Sequence, residues 1–518
     1  MITLWRFLKT WVPRLALAAA VAFLIFNLLP PLKMFIEQDW MALHFPYTLD
    51  YGEGPLLDQT IRLAHFQNIY HNNLSLSPYT ISNYPPLFPL IQVPFVWIFG
   101  PAFWYGRLLS ILSVLVSALF IGLTLQALTR SNLAGVTGGL LLLVIPYIFH
   151  WSPLNRIDSL ALALSWAGLY VIVRGSSRQA PAQAAPLPKQ SLLKSFQMDI
   201  TGQRWLVLGA ALLVGAIFAR QTYALAAPLA TFVWLIHLTP RRRAFHLAVL
   251  VGGAGILLFI LLTLTTLGGF YTNIITANVN PFIWKTVQDY IDPIWKNMRF
   301  LVVGAAVFLV VGAIKPWRVS SWWLVAPYLV GAVLSGLTIG KDGSNVNYLF
   351  EFSAALSLVA GALIAWLEKN NLLWRTALVL LIAFQVTTIY NWSKQEYYPQ
   401  HISRMLAQSN ELEHLTSLVK NAQGIVLADE HMGLLPLAGK SIYFQPFEFK
   451  MMANAGLWDQ DAFVTQIKNK EFALILLFDP PSWDSQHARW TDEELSAIYA
   501  NYSWSASLAD TTVYTPKR

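Results

Sequence analysis

Cysteine is absent from this 518-residue chain, which excludes disulfides, thiolate metal ligands and a cysteine nucleophile; any part outside a membrane must hold together by packing alone. Charge is scarce as well. Charged residues make up 12% of the chain and hydrophobic ones 56%, against about 25% charged in a soluble domain, so an ordinary soluble enzyme is excluded and a polytopic membrane protein is expected. Histidines are few and scattered: His65, His71, His150 and His431 fall at no metal-ligand spacing. The net charge of +8 does not indicate nucleic acid, because the basic residues sit in short loops between apolar segments, where they act as topology signals.

What is present is a series of apolar segments. Eleven reach or approach the roughly 20 residues a spanning helix needs: 13–31, 103–128, 133–150, 158–174, 205–219, 223–238, 246–266, 297–314, 320–339, 348–366 and 373–391. Arg6, Lys9 and Arg14 precede the first, which predicts a retained anchor with a cytoplasmic N-terminus. The basic loop 174–204, with a Pro/Ala-rich linker at 180–188, falls on the same side, as do Arg241 to Arg243, Lys315 with Arg318, and Lys369 with Arg375. That parity requires 205–219 and 223–238 to be short spans meeting outside at Arg220 to Thr222. It also requires 85–100, with four prolines, to be a re-entrant or interfacial piece. Residues 32–102, 267–296 and everything after about 392 are then extracytoplasmic, dividing the chain into a membrane domain, 1–391, and an outer domain, 392–518.

The long first outer loop, 32–102, carries the sharpest signal. Asp50, Glu53 and Asp58 lie within eleven residues just behind the first anchor, where a carboxylate is costly to hold at the bilayer surface. From Leu56 the pattern is amphipathic, predicting a helix along the membrane surface with Pro55 in its first turn. Gly52 and Gly54 leave the backbone around Glu53 open to close approach. Four separated cations occupy the same outer edge: Arg107, Arg156, Arg220 and Lys341. Cations are under-represented on that side, so together they predict an anionic substrate group. Each has a plainer alternative, such as a local Arg156–Asp158 ion pair at a helix start or an arginine reaching the headgroups. The tryptophans at span ends, among them Trp40, Trp97, Trp104, Trp151, Trp284 and Trp295, predict an interfacial belt.

These residues, in this order, resemble the first third of a known class. The acidic motif after the first span is followed by an amphipathic helix ending Gln67-Asn-Ile-Tyr70, by Asn83-Tyr84-Pro85-Pro86-Leu-Phe-Pro89, by an apolar run ending Phe99-Gly100, and by Arg107-Leu-Leu-Ser. This is similar to the GT-C glycosyltransferases that use polyprenyl-phosphate sugars, including protein O-mannosyltransferases and the aminoarabinose transferases of lipid A, and the resemblance extends over roughly 10–390. It implies an inverting transfer of a sugar, hexosyl or pentosyl, from a lipid-phosphate donor to an acceptor on the outer face of the cell envelope. The class draws its key carboxylate from an adjacent Asp-Glu pair; here Gly52-Glu53 stands in that place, making Glu53 the best match and Asp50 the alternative.

One carboxylate must take the acceptor's proton, and cations must receive the departing phosphate. Arg220 and Lys341 are the first choices for the phosphate, Arg156 and Arg107 the second; Asn345, Asn347 and Tyr348, with Asp158 and Gln221, are candidates for sugar or acceptor hydroxyls. The partners implied are a polyprenyl-phosphate sugar, membrane lipids, and a glycan, lipid or protein acceptor, with no nucleic acid. No metal site is identified; a divalent cation stays open as a cofactor. The rival reading is a transporter or flippase of a lipid-linked or small anionic substrate, which calls for ionisable residues in mid-span and broken helices.

After Asn391 charges return. A helix is expected over 401–421, strands over Gly424–Ala428, Ser441–Phe444 and Phe472–Phe478, and helices over 462–470 and 492–502, together a small α/β domain. Asp429-Glu430-His431 and Gln445-Pro446-Phe447-Glu448 follow predicted strands, where ligand contacts gather. This domain is expected to recognise acceptor or cover the site.

Overall fold

The structure is a computed structural model that describes residues 2–178, 203–238, 240–315, 319–396 and 402–518. The linker at 180–188, and with it Lys189, Lys194 and Arg318, lies outside the described residues. Up to Glu396 the chain is helical; beyond Ile402 it is an α/β unit carrying a four-stranded sheet.

Eight of the eleven expected segments fall on helices long and apolar enough to cross a membrane, and the protein is a multi-pass membrane protein. The other three fall on helices of 13, 16 and 12 residues: α5 (Asn132–Val144), Arg204–Ala219 and Ala226–His237. Each is cut short by a local cause. Ile145 is extended and Pro146, which has no N–H to donate, opens the separate helix α6 (Pro146–Trp151). Arg220 is also extended, and a 3₁₀ turn over Gln221–Ala224 separates the other two. The proline-rich segment forms α3 (Leu87–Phe99), whose 13 residues are too few to span and whose exposed Trp97, Ile98 and Phe99 suit an interfacial helix.

The first helix, α1 (Ile2–His44), runs well past residue 31, so the loop expected over 32–102 begins as continued helix. Nine-tenths of the segment Val346–Glu368 is buried, against 6% of Arg242–Thr265. The former is the axis of the bundle, packed on α5 and on Trp322–Gly336 and Trp284–Ile314; the latter lies at the rim of the bundle with most of its apolar surface exposed. Trp284–Ile314 is kinked at Met298, which separates an N-terminal segment with exposed Trp284 and Trp295 from a more apolar C-terminal one.

In the C-terminal unit the strand order is β1 (Ile425–Ala428), β2 (Phe472–Phe478), β4 (Thr511–Pro516), β3 (Tyr502–Leu508), with β1 and β2 parallel and the other pairs antiparallel. The expected strand at Ser441–Phe444 does not join this sheet. It is an extended run whose Phe444 bridges in parallel to Tyr79 of the first outer loop. Tyr79 also inserts its ring among Phe444, Phe449, Trp458 and Phe463, at centroid distances of 5.5 to 6.4 Å, mostly edge-on. The membrane part is thereby plugged into the aromatic core of the α/β unit.

The amphipathic helix α2 (Glu53–Ala64) does not lie on the membrane surface. Both its faces are buried, because its polar face is used against the C-terminal unit: Asp58 pairs with Arg62 at 2.8 Å and accepts from the Ile442 N–H, while Arg62 donates to the Ile442 carbonyl.

Candidate active site

The loop between α1 and α2 is organised by an arginine from the next long helix, α4 (Trp104–Thr129). Arg107 is fully buried and binds Glu53 through two parallel contacts, Nε to Oε1 at 2.9 Å and Nη2 to Oε2 at 2.7 Å. Its remaining N–H groups donate to the carbonyls of Ala42, Phe45 and Tyr47. Glu53 in turn accepts from the N–H groups of Leu49 and Asn155, each at 2.7 Å. Every strong acceptor direction of that carboxylate is filled by protein.

This placement corrects both roles expected of the pair. Glu53 is sealed from solvent and has no room for an acceptor proton, and Arg107 faces no cavity and cannot meet a phosphate. The glycines beside Glu53 are occupied by protein: the guanidinium of Arg156 lies against Gly52, and the backbone of Gly433 against Gly54.

Asp50 is displayed where Glu53 is withdrawn. Its side chain is 20% exposed; Oδ1 accepts from the Gly52 N–H at 3.0 Å and meets Arg156 Nη1 at 3.3 Å. Both contacts fall on Oδ1, and Asp50 lines the cleft. Burial pushes the Asp50 carboxyl above the usual carboxylate range, opposed by the Arg156 cation.

The local Arg156–Asp158 pair, the plainer alternative for these residues, does not form; Arg156 pairs with Asp50 instead. Asp158, at the start of α7 (Asp158–Arg178), pairs with Arg220 and accepts from Trp151 Nε1 at 2.9 Å and Asn347 Nδ2 at 3.1 Å. Trp151 is buried here and is no part of an interfacial belt. Asp158 is therefore a counter-ion rather than a sugar ligand. Arg220 lies over the Tyr348 ring at 4.2 Å, and its buried Nε and Nη2 have no hydrogen-bond partner among the described residues.

Around these residues the cleft has two lobes. The inner lobe, a cavity of about 200 Å³, is lined by Arg156, Arg220, Lys341, Gln221, Asn83 and Glu448 among others. Lys341 Nζ reaches Asn278 Oδ1 at 3.4 Å, and Gln221 Nε2 donates to the Asn83 carbonyl at 3.0 Å. The outer lobe, about 770 Å³, is lined by Asp50, Asn345, Asn347 and residues of the C-terminal unit. Tyr51, Tyr84, Arg156 and Tyr348 wall both lobes. Asn345 turns its side-chain oxygen to the Val346 N–H, and Asn347 is tied to Asp158.

The C-terminal unit contributes residues that the sequence marked, Glu430, Phe447 and Glu448, and two that it did not, Trp483 and Arg489. Glu448 accepts from the Tyr51 hydroxyl at 2.7 Å, and burial pushes its carboxyl up. Arg489 pairs with Glu430 and lies over the rings of Tyr51, Phe478 and Trp483. Glu430, Phe447 and Glu448 do follow predicted strand ends in sequence, but Trp483 and Arg489 lie in a stretch without any pattern. Among the described residues no group of three or more His, Asp or Glu side chains could hold a metal ion.

Residues 83–184 match the family model described as dolichyl-phosphate-mannose-protein mannosyltransferase. No curated protein matches the chain in sequence. Among solved structures, ArnT from Cupriavidus metallidurans bound to undecaprenyl phosphate is similar over 98% of this chain and 98% of its own, with 14% identity and a TM-score of 0.54. The archaeal oligosaccharyltransferase AglB from Archaeoglobus fulgidus, in complex with an inhibitory peptide and a dolichol-phosphate, covers 96% of this chain and 74% of its own, with 10% identity and a TM-score of 0.55. From the bundle through the C-terminal sheet, this chain has the GT-C-like fold of ArnT and AglB.

Proposed function

We propose that the protein is an inverting glycosyltransferase that uses a polyprenyl-phosphate sugar as donor. One observation carries this reading: a carboxylate with a free oxygen, Asp50, stands on one side of the Tyr51–Tyr84–Arg156 wall, and a buried guanidinium with two unpartnered nitrogens, Arg220, on the other. The ArnT and AglB structures contain undecaprenyl phosphate and dolichol-phosphate, which supports a lipid phosphate as the donor's carrier here.

In this mechanism Arg220 and Lys341 hold the donor phosphate in the inner lobe, with Arg156 between the lobes. Asp50 takes the proton from an acceptor hydroxyl as its oxygen bonds to the anomeric carbon. The bond from that carbon to the phosphate oxygen breaks on the opposite face, and the electron pair leaves with the lipid phosphate, whose growing charge the two cations meet. Tyr348 positions Arg220. Asn345, Asn347 and Gln221 remain candidates for sugar hydroxyls.

The cleft is proposed to open outside the cell membrane, with the N-terminus in the cytoplasm and 1–391 and 392–518 acting as membrane and outer domains. A transporter is not favoured, since the polar cavities gather at the helix ends beneath the α/β unit.

The test is sugar transfer from a labelled polyprenyl-phosphate sugar in reconstituted membranes. Asp50→Asn is expected to slow transfer by about 10²- to 10⁴-fold, and Arg220→Ala to weaken use of the donor. Undiminished transfer by Asp50→Asn would remove it as the base.

A further inference from the structure

The two lobes differ in kind, and the difference bears on the acceptor. The outer lobe's charged lining is balanced: Asp50, Asp342 and Glu430 against Arg156, Lys450 and Arg489, with His487 besides. Its two arginines are also ion-paired. Arg156 is paired with Asp50, Arg489 with Glu430 beneath three aromatic rings, and Lys450 donates to the His487 carbonyl. Arg220, two of whose buried nitrogens lack a hydrogen bond among the described residues, lines only the inner lobe; in the outer lobe Arg156 Nε and Arg489 Nη1 also lack one, but both side chains keep a carboxylate partner.

What the outer lobe does offer is aromatic surface and hydrogen-bond acceptors. Tyr84, Trp151, Phe447, Phe478 and Trp483 line it together with the carboxylates. Trp483 stands at its rim with 45% of its surface exposed. Its volume of about 770 Å³ lies within the roughly 300–1,000 Å³ that encloses a ligand of several rings.

We infer that the outer lobe is an acceptor site for a neutral saccharide, gripped by the C-terminal unit through Trp483, with the acceptor hydroxyl directed to Asp50. A pyranose presents an apolar face that packs on an aromatic ring and a rim of hydroxyls that donate to carboxylates. A phosphorylated acceptor would have to draw Arg156 or Arg489 away from its carboxylate, or be met by Lys450 alone, which donates to a neutral carbonyl. This inference rests on the glycosyltransferase reading, because it takes Asp50 as the group the acceptor approaches.

The experiment is saturation-transfer NMR on the full chain in lipid nanodiscs, since maltoside detergents are themselves saccharides. The probes are maltotriose, glucose 1-phosphate and the capped peptide acetyl-Ala-Thr-Ala-amide. Maltotriose is expected to take up saturation, with roughly threefold to tenfold weaker binding in Trp483→Ala and recovery in Trp483→Phe. Maltotriose binding that is absent, or indifferent to Trp483→Ala, overturns the inference, as does its displacement by glucose 1-phosphate or by the peptide. A thermal shift with undecaprenyl phosphate in the same nanodiscs separates the two readings. An Arg220-dependent shift without maltotriose binding leaves the donor reading standing and removes only the acceptor class, whereas the absence of that shift removes the donor reading itself.

Discussion

Two carboxylates three residues apart have opposite fates because of one arginine. Glu53 is matched by the fork of Arg107 and two backbone N–H groups, so its charge is neutralised inside the protein. Replacing one member of such a buried pair costs about 3–5 kcal/mol. Glu53→Gln is therefore expected to lower thermal stability of the purified protein sharply, while Asp50→Asn, at a partly exposed position, leaves it nearly unchanged. Asp50 also carries a pH signature. A base must be ionised, and burial raises its carboxyl pKa while Arg156 lowers it. Turnover is expected to fall as pH drops through a value above the ordinary carboxylate range, and in Arg156→Ala the acid limb moves to still higher pH. A pH profile of kcat/KM in both proteins measures this.

At the scale of elements, the join between α2 and its surroundings is made of close approaches that only glycine permits. A methyl group on Gly52 would lie 1.2 Å from Arg156 Nη1, the far end of a flexible side chain. Gly52→Ala is expected to fold, to push Arg156 away from Asp50 and to lose transfer activity. A methyl on Gly54 would lie 2.6 Å from the Gly433 backbone nitrogen, which cannot swing aside. Gly54→Ala is expected to cost about 1–3 kcal/mol of stability. Comparing melting temperature with transfer rate for the two variants separates the two effects. The β3–β4 hairpin shows why an element can escape the sequence: its turn residues, Ala509 and Asp510, take positive φ values of 50° and 53° without a glycine to advertise them.

At the scale of the molecule, the site exists only where the helical bundle and the α/β unit meet. Tyr79 fastens them, by its ring and by backbone bonds to Tyr443 and Gln445 at 2.7 and 3.0 Å. Tyr79→Ala is expected to cost about 3–5 kcal/mol, as for other buried aromatic truncations, and to raise protease sensitivity of the C-terminal unit before the bundle unfolds. Limited proteolysis with fragment mapping checks the order.

Long-period hydrophobicity determined the membrane class, the positions of the helices and the α/β character of the last 120 or so residues, because burial in lipid or in a core imposes a repeat that can be counted along the chain. The scarcity of charge likewise made Asp50, Arg156, Arg220 and Lys341 conspicuous. Which acid is free and which cation is spoken for was decided only in three dimensions. Arg107 and Glu53 are 54 residues apart, and Arg220 and Asp158 are 62; pairing across such distances depends on helix packing rather than on any local pattern. The same holds for Trp483 and Arg489, which reach the cleft because the C-terminal unit packs on α2 through Gly433 and Ile442.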